Sequence, residues 1–165
     1  MSGSASSQLR HELQPGDIGA VVRLHGTVYA AEQGWDHTFE GYVAEGIGRF
    51  AAAFDPARDR LWIAEADGGV VGSIAIVGQA DSTAQLRWFV VHPKARGQGL
   101  GRQLLAAALS FCRDRHYTSI FLWTAGDLHA AAHLYRSAGF ELVEESRHES
   151  WGAGNTLQTY RPSPL

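Results

Sequence analysis

The residues best equipped for chemistry in this sequence are Arg96-Gly97-Gln98-Gly99-Leu100-Gly101-Arg102. Three glycines on alternate positions let the main chain approach a ligand with no β-carbon in the way. Leu104, Leu105, Ala108, Leu109 and Cys112 then recur at helical spacing, so the loop opens onto a helix whose unpaired N–H groups and positive dipole end face that ligand. The combination is an anion cradle suited to a pyrophosphate. A Rossmann fingerprint would need glycine where Arg102 stands, and a P-loop would need Lys-Ser/Thr where Arg102-Gln103 stand, so neither nucleotide fold fits. The glycines alone also allow a plain strand-to-helix turn with no ligand.

The neighbouring residues narrow the choice. Arg96-x-x-Gly99-x-Gly101, preceded by Val91-His92-Pro93, resembles the acetyl-CoA signature of the GNAT N-acetyltransferase superfamily. Ala131-Ala132-His133-Leu134-Tyr135-Arg136-Ser137-Ala138-Gly139-Phe140 resembles the same superfamily's later motif, and the two stand in the family's order. The resemblance runs from roughly Leu61 to Tyr160. Gly34-Trp35-Asp36 with Phe39-Glu40, and Leu122-Trp123-Thr124, are similar to acetyltransferase domains often fused behind MarR-type regulators.

The resemblance implies an acetyl-CoA-dependent N-acetyltransferase, moving an acetyl group to a primary amine by direct transfer. It implies a mixed, mostly antiparallel α/β sheet of about six to seven strands flanked by about four helices, with a splayed gap between strands four and five. Arg96, Gly97, Gln98, Gly99, Leu100, Gly101 and Arg102 would hold the pyrophosphate. Main-chain groups of Phe89, Val90 and Val91 would pair with the pantetheine arm as a missing strand would. Tyr135 matches the tyrosine whose hydroxyl returns a proton to the departing thiolate; with an ordinary pKa near 10 it is protonated at neutral pH.

For the acceptor, Tyr29, Glu32, Trp35, Arg87 and Trp123 are the substrate-binding candidates. Strand alternation places Arg87 on one face with Gln85, Phe89 and Val91. There its guanidinium would either clamp a carboxylate of an amino acid or similar small amine, or pair with a nearby Asp or Glu. An alkylammonium must lose a proton before attack, and the fourth strand carries Gln85 and Arg87 where many relatives have a glutamate. The remaining routes are water and main-chain carbonyls, or Glu32, Asp36, Glu40 or His25. Leu128 replaces a coenzyme-binding asparagine of many relatives, leaving Asp127 or His129 to substitute. His129 and His133 lie four apart, yet no third ligand is evident, so no metal is expected. Cys112 belongs to an apolar helix face, which disfavours an acetyl-cysteine route. Other readings are a protein or peptide N-acetyltransferase, or an acyl-CoA-sensing domain without turnover.

The elements that must position these groups follow from periodicity. The 165 residues, 45% of them hydrophobic, suffice for one domain over 1–165 with a core, behind a flexible polar tail at 1–7. A net charge of −3 gives no signal for nucleic acid or an anionic membrane, and no apolar run reaches transmembrane length. One cysteine excludes an internal disulfide and suits a reducing cytoplasm. Relatives that dimerise make a homodimer through the last strands a further expectation. Leu9, His11 and Leu13 predict a short strand, and Asp17 a cap for a helix ending near Gly34. Thr38 would cap a second helix, made irregular by Gly41, Gly46 and Gly48 at up to ~1 kcal/mol each relative to alanine. Residues 61–66 and 70–77 around Asp67-Gly68-Gly69 predict a hairpin. Residues 86–91 and 119–124 read as buried strands, with Asp127 capping and Gly139 closing the helix of the later motif. Residues 140–145 and 157–161 complete the sheet through a turn at Gly152-Ala153-Gly154-Asn155.

Overall fold

Leu61 and Ile63 pack to one side of β2 (Arg60–Ala66), Trp62 and Ala64 to the other, and all four are buried. A strand buried on both faces requires a helical layer on each. In the computed structural model, which describes residues 7–125 and 127–162, α1 (Asp17–Gln33) and α2 (His37–Ala52) form one layer. The other layer is α3 (Leu100–Asp114) with α4 (His129–Ser137). Residues 1–6, nearly all of the expected tail, lie outside the described residues. Among the described residues no helix is long and apolar enough to cross a membrane.

Between the layers lies one seven-stranded sheet in the order β1-β2-β3-β4-β5-β7-β6. Its remaining strands are β1 (Gln8–Arg10), β3 (Gly69–Gly78), β4 (Thr83–Val91), β5 (Ser119–Ala125), β6 (Phe140–Ser150) and β7 (Ala153–Pro162). All neighbours are antiparallel except β4 and β5, which run parallel and pair only from Thr83↔Ser119 to Leu86↔Leu122. From Leu122 onward β5 follows β7 instead, so among the described residues the second half of β4 has no strand partner on that side. This is the mixed, gapped sheet with four flanking helices that the resemblance implied.

Several local expectations are corrected. Gly16, left-handed at φ 94°, is the N-cap of α1, and Asp17 lies inside the first turn. Its carboxylate accepts the Arg10 guanidinium at 2.7 Å on both oxygens, plus the Gln14 N–H at 2.7 Å, which pins β1 to α1. α2 is capped by Asp36, whose Oδ1 accepts the Thr38 N–H at 3.0 Å, so Thr38 is the donor and not the cap. That helix is continuous over 16 residues despite its glycines. At Gly46 a β-carbon would stand 3.0 Å from Arg87 Nη2 and 3.3 Å from the Trp88 ring, so glycine there lets α2 settle onto β4. α4 starts one residue beyond Leu128 with no side-chain cap, which removes Asp127 from that role. The last hairpin turns at Trp151-Gly152, both at positive φ, and Ala153 to Asn155 already belong to β7.

Candidate active site

A backbone irregularity in β4 organises the site. Ser73 of β3 faces Val90 and Ala75 faces Arg87, so two steps on β3 oppose three on β4. The extra residue is accommodated at Trp88, which takes φ 50° while its carbonyl accepts the Ser73 hydroxyl at 2.7 Å. A bulge of this kind switches the faces of all that follows. Ala84 and Leu86 therefore pack toward α3, whereas Trp88 and Val90 pack toward α1 and α2. Arg87 lies on the α1/α2 side, and Phe89 and Val91 lie on the other, contrary to strict alternation. Period-two reasoning fails here because it has no term for an inserted residue.

On the α3 side of the opening lies a cleft of about 740 Å³. Phe89, Val90, Val91, Arg96, Gly97, Gly99, Leu100, Gly101 and Arg102 line it; Gln98 is exposed and does not. Gly97 and Gly99 both sit at φ 79°, a left-handed conformation that favours glycine, and Gly99 is the N-cap of α3. Gly101 is small for another reason: a β-carbon would stand 3.0 Å from Leu134 Cδ1 of α4. Asp127 and His129, the proposed stand-ins for the asparagine replaced by Leu128, also line this cleft, as does His133.

Arg96 is held by three bonds. Its Nε–H donates to the Val91 carbonyl at 3.0 Å, and its terminal nitrogens donate to both oxygens of Glu32 at 2.7 and 2.6 Å. The guanidinium holds the Glu32 carboxyl below the usual carboxylate range. Glu32 thus braces the loop from α1 and lines the cleft, not the second cavity. Asp36 is spent on capping α2, and Glu40 is exposed; neither lines a cavity of the site.

The second cavity, about 380 Å³, opens on the α1/α2 side. Tyr29, Phe89, Leu128 and Ala131 line both spaces, so the two meet at the gap between β4 and β5. The Tyr29 hydroxyl donates to the Phe89 carbonyl at 3.3 Å, and burial raises its pKa to about 12. Tyr135 lines the second cavity with its ring centroid 5.9 Å from that of Phe89, and burial pushes its hydroxyl far above the ordinary tyrosine value. Of the four base candidates only His25 lines this cavity. Its Nδ1–H donates to the Val21 carbonyl at 2.8 Å, its buried Nε2 has no partner among the described residues, and desolvation lowers its pKa to about 4.

Arg87 reaches this cavity with its guanidinium 4.4 Å from the Trp88 ring centroid. Among the described residues no carboxylate lies within 4.0 Å of it, so the structural ion pair is absent there. Trp35 is a buried wall, its indole N–H donating to Asn155 Oδ1 at 3.0 Å. Trp123 is the opposite case, 60% exposed at the cavity. Sequence reasoning missed Trp151, whose ring lies 4.7 Å from Trp35 and 5.0 Å from Phe39. The signal was local: an aromatic directly before a turn glycine. Cys112, by contrast, is 1% exposed on α3, lines neither cavity, and has its thiol pushed up to about 12 by burial.

Comparison with known proteins agrees with this geometry. The sequence pattern of the Acetyltransferase (GNAT) family matches residues 26–140. A mycothiol acetyltransferase of Tsukamurella paurometabola is 30% identical over 147 residues, 83% of this chain and 48% of that protein. An N-acetylaspartate synthetase of Xenopus tropicalis is 38% identical over 89 residues, 53% of this chain and 33% of that protein. The chain thus spans a third to a half of the length of these relatives. Among solved structures, an acetyltransferase from Streptococcus agalactiae superposes with a TM-score of 0.74 at 24% identity, over 94% of this chain and 97% of that one.

Proposed function

The chain belongs to the acetyltransferase (GNAT) family, and from that premise we propose that it is an acetyl-CoA-dependent N-acetyltransferase acting on a small primary amine by direct transfer. The observation that carries this reading is the meeting of two cavities at the β4–β5 gap, with the glycine loop on one side and Tyr135 on the other. The free main chain of Phe89 to Val91 offers a strand edge to the pantetheine amides. The Tyr29 and Arg96 donors now on the Phe89 and Val91 carbonyls are the groups those amides would replace. The first N–H groups of α3, together with Arg102, receive the pyrophosphate.

Bound acetyl-CoA supplies the activated acetyl group. The acceptor enters from the second cavity, where proximity to the gap converts a bimolecular reaction into attack within one complex. Tyr135 keeps its proton because burial disfavours the phenolate. Attack forms the C–N bond and breaks the C–S bond; Tyr135 gives its hydroxyl proton to the departing thiolate and regains one from the newly acylated nitrogen, so that no phenolate is left buried. With Cys112 buried away from both cavities, no cysteine among the described residues is placed to carry the acetyl group. A cytoplasmic setting, in which that thiol stays reduced, belongs to the same proposal.

Release of coenzyme A thiol in the presence of pooled amines, measured for the protein and for Tyr135→Phe, tests the proposal. Turnover should fall by about 10²-fold or more in the variant with little change in KM for acetyl-CoA. Equal turnover in the two would remove Tyr135 as the acid. Coenzyme binding without thiol release from any pool would favour an acyl-CoA-sensing domain.

A further inference from the structure

The acceptor's chemical class is written on the walls of the second cavity, an inference that rests on the transferase reading. Among the described residues Arg87 is the one side chain there that is charged at neutral pH; the other polar side chains include His25, Gln85, Thr124, Ser150, tyrosine hydroxyls and indole N–H groups. Among the described residues no Asp or Glu lines the cavity. A polyamine, an aminoglycoside or a lysine-rich peptide carries further cations beyond the reacting amine. Those cations would find no carboxylate and would be repelled by Arg87. One carboxylate on the acceptor is instead complementary to a guanidinium that stacks on Trp88 and has no anionic partner among the described residues. A second carboxylate would meet only neutral donors there, with no second cation among the described residues to offset its desolvation.

The rest of the acceptor is set by those rings. Trp123 and Tyr42 line the cavity while 60% and 46% exposed, and Phe39 and Trp151 continue the wall. Large apolar surfaces left in contact with water beside a single charge are what an aryl side chain would cover, by area and by offset or edge stacking. We infer that the acceptor is an α-amino acid, or a close analogue, with one carboxylate held by Arg87 and an aromatic side chain packed against Trp123 and Tyr42.

The test is a wild-type panel of L-phenylalanine, phenylethylamine, L-aspartate and spermidine, each followed by thiol release. L-phenylalanine should exceed each of the others in kcat/KM by about tenfold or more, the worth of one charge-assisted hydrogen-bonded pair. In Arg87→Ala the ratio of L-phenylalanine to phenylethylamine should collapse toward one, and a ratio that persists would remove Arg87 as the clamp. Equal or better turnover of spermidine or L-aspartate would overturn the acceptor class and leave the transferase standing. If nothing turns over, tryptophan fluorescence of the coenzyme A complex titrated with L-phenylalanine decides. Saturable quenching absent with phenylethylamine would keep the class and overturn the transferase, and no change with L-phenylalanine would overturn the class.

Discussion

His25 should make the fold fail early in acid. The imidazole of α1 is 3% exposed at the wall of the second cavity, bonded through Nδ1–H to Val21 and unpartnered at Nε2 among the described residues, so a proton added to it would place a poorly solvated charge there. Its pKa of about 4 in the folded chain compares with 6.5 when unfolded. Because the folded value is the lower one, the unfolded chain takes up the proton first. The stability is intact above pH 6.5 and drains away as pH falls toward 4. The gap of about 2.5 units at 1.36 kcal/mol each gives about 3 kcal/mol, of which most is gone by pH 4.5. Urea unfolding of the protein and of His25→Gln across pH 4.5 to 7.5 isolates this contribution, since every carboxylate is common to both. The wild type should lose about 2 to 3 kcal/mol more than the variant over that range. Parallel stability curves would refute the buried neutral imidazole.

Further perturbations probe the scaffold around the site. Gly99→Ala forces a β-carbon into a left-handed residue at the N-cap of α3, costing about 1 kcal/mol. It should raise KM for acetyl-CoA by about tenfold, read from saturation curves of thiol release. Arg10→Ala strips Asp17, whose side chain is 7% exposed, of its partner and also frees Glu65. Urea unfolding should show a loss of about 2 kcal/mol at neutral pH, reduced from a fully buried pair because Arg10 is 18% exposed.

The glycine loop and the later motif were legible because their signals are local: alternate glycines, a helical repeat, and a tyrosine fixed by its neighbours in the chain. The two-sided burial of β2 could be read the same way, from Leu61-Trp62-Ile63-Ala64 with no polar alternation. What escaped depends on contacts far apart in sequence. The bulge at Trp88 is braced by the Ser73 hydroxyl of β3, which donates to the Trp88 carbonyl, and nothing in residues 84–91 announces an inserted residue. Glu32 looked available until the fold set it beside Arg96, 64 positions away. The caps failed for a related reason: Asp17 of α1 was claimed by Arg10 of β1, leaving glycine to start the helix.

In direct transfer the acetyl group passes from coenzyme to amine within one complex. A single turnover tests it most directly: protein saturated with a stoichiometric amount of acetyl-CoA is mixed with L-phenylalanine, and both the intact protein and the small molecules are followed by mass spectrometry. N-acetylphenylalanine and free coenzyme A should appear together, with the protein mass unchanged throughout. Acetylated protein that precedes the product, or acetyl-CoA that persists untouched with every amine offered, would contradict it.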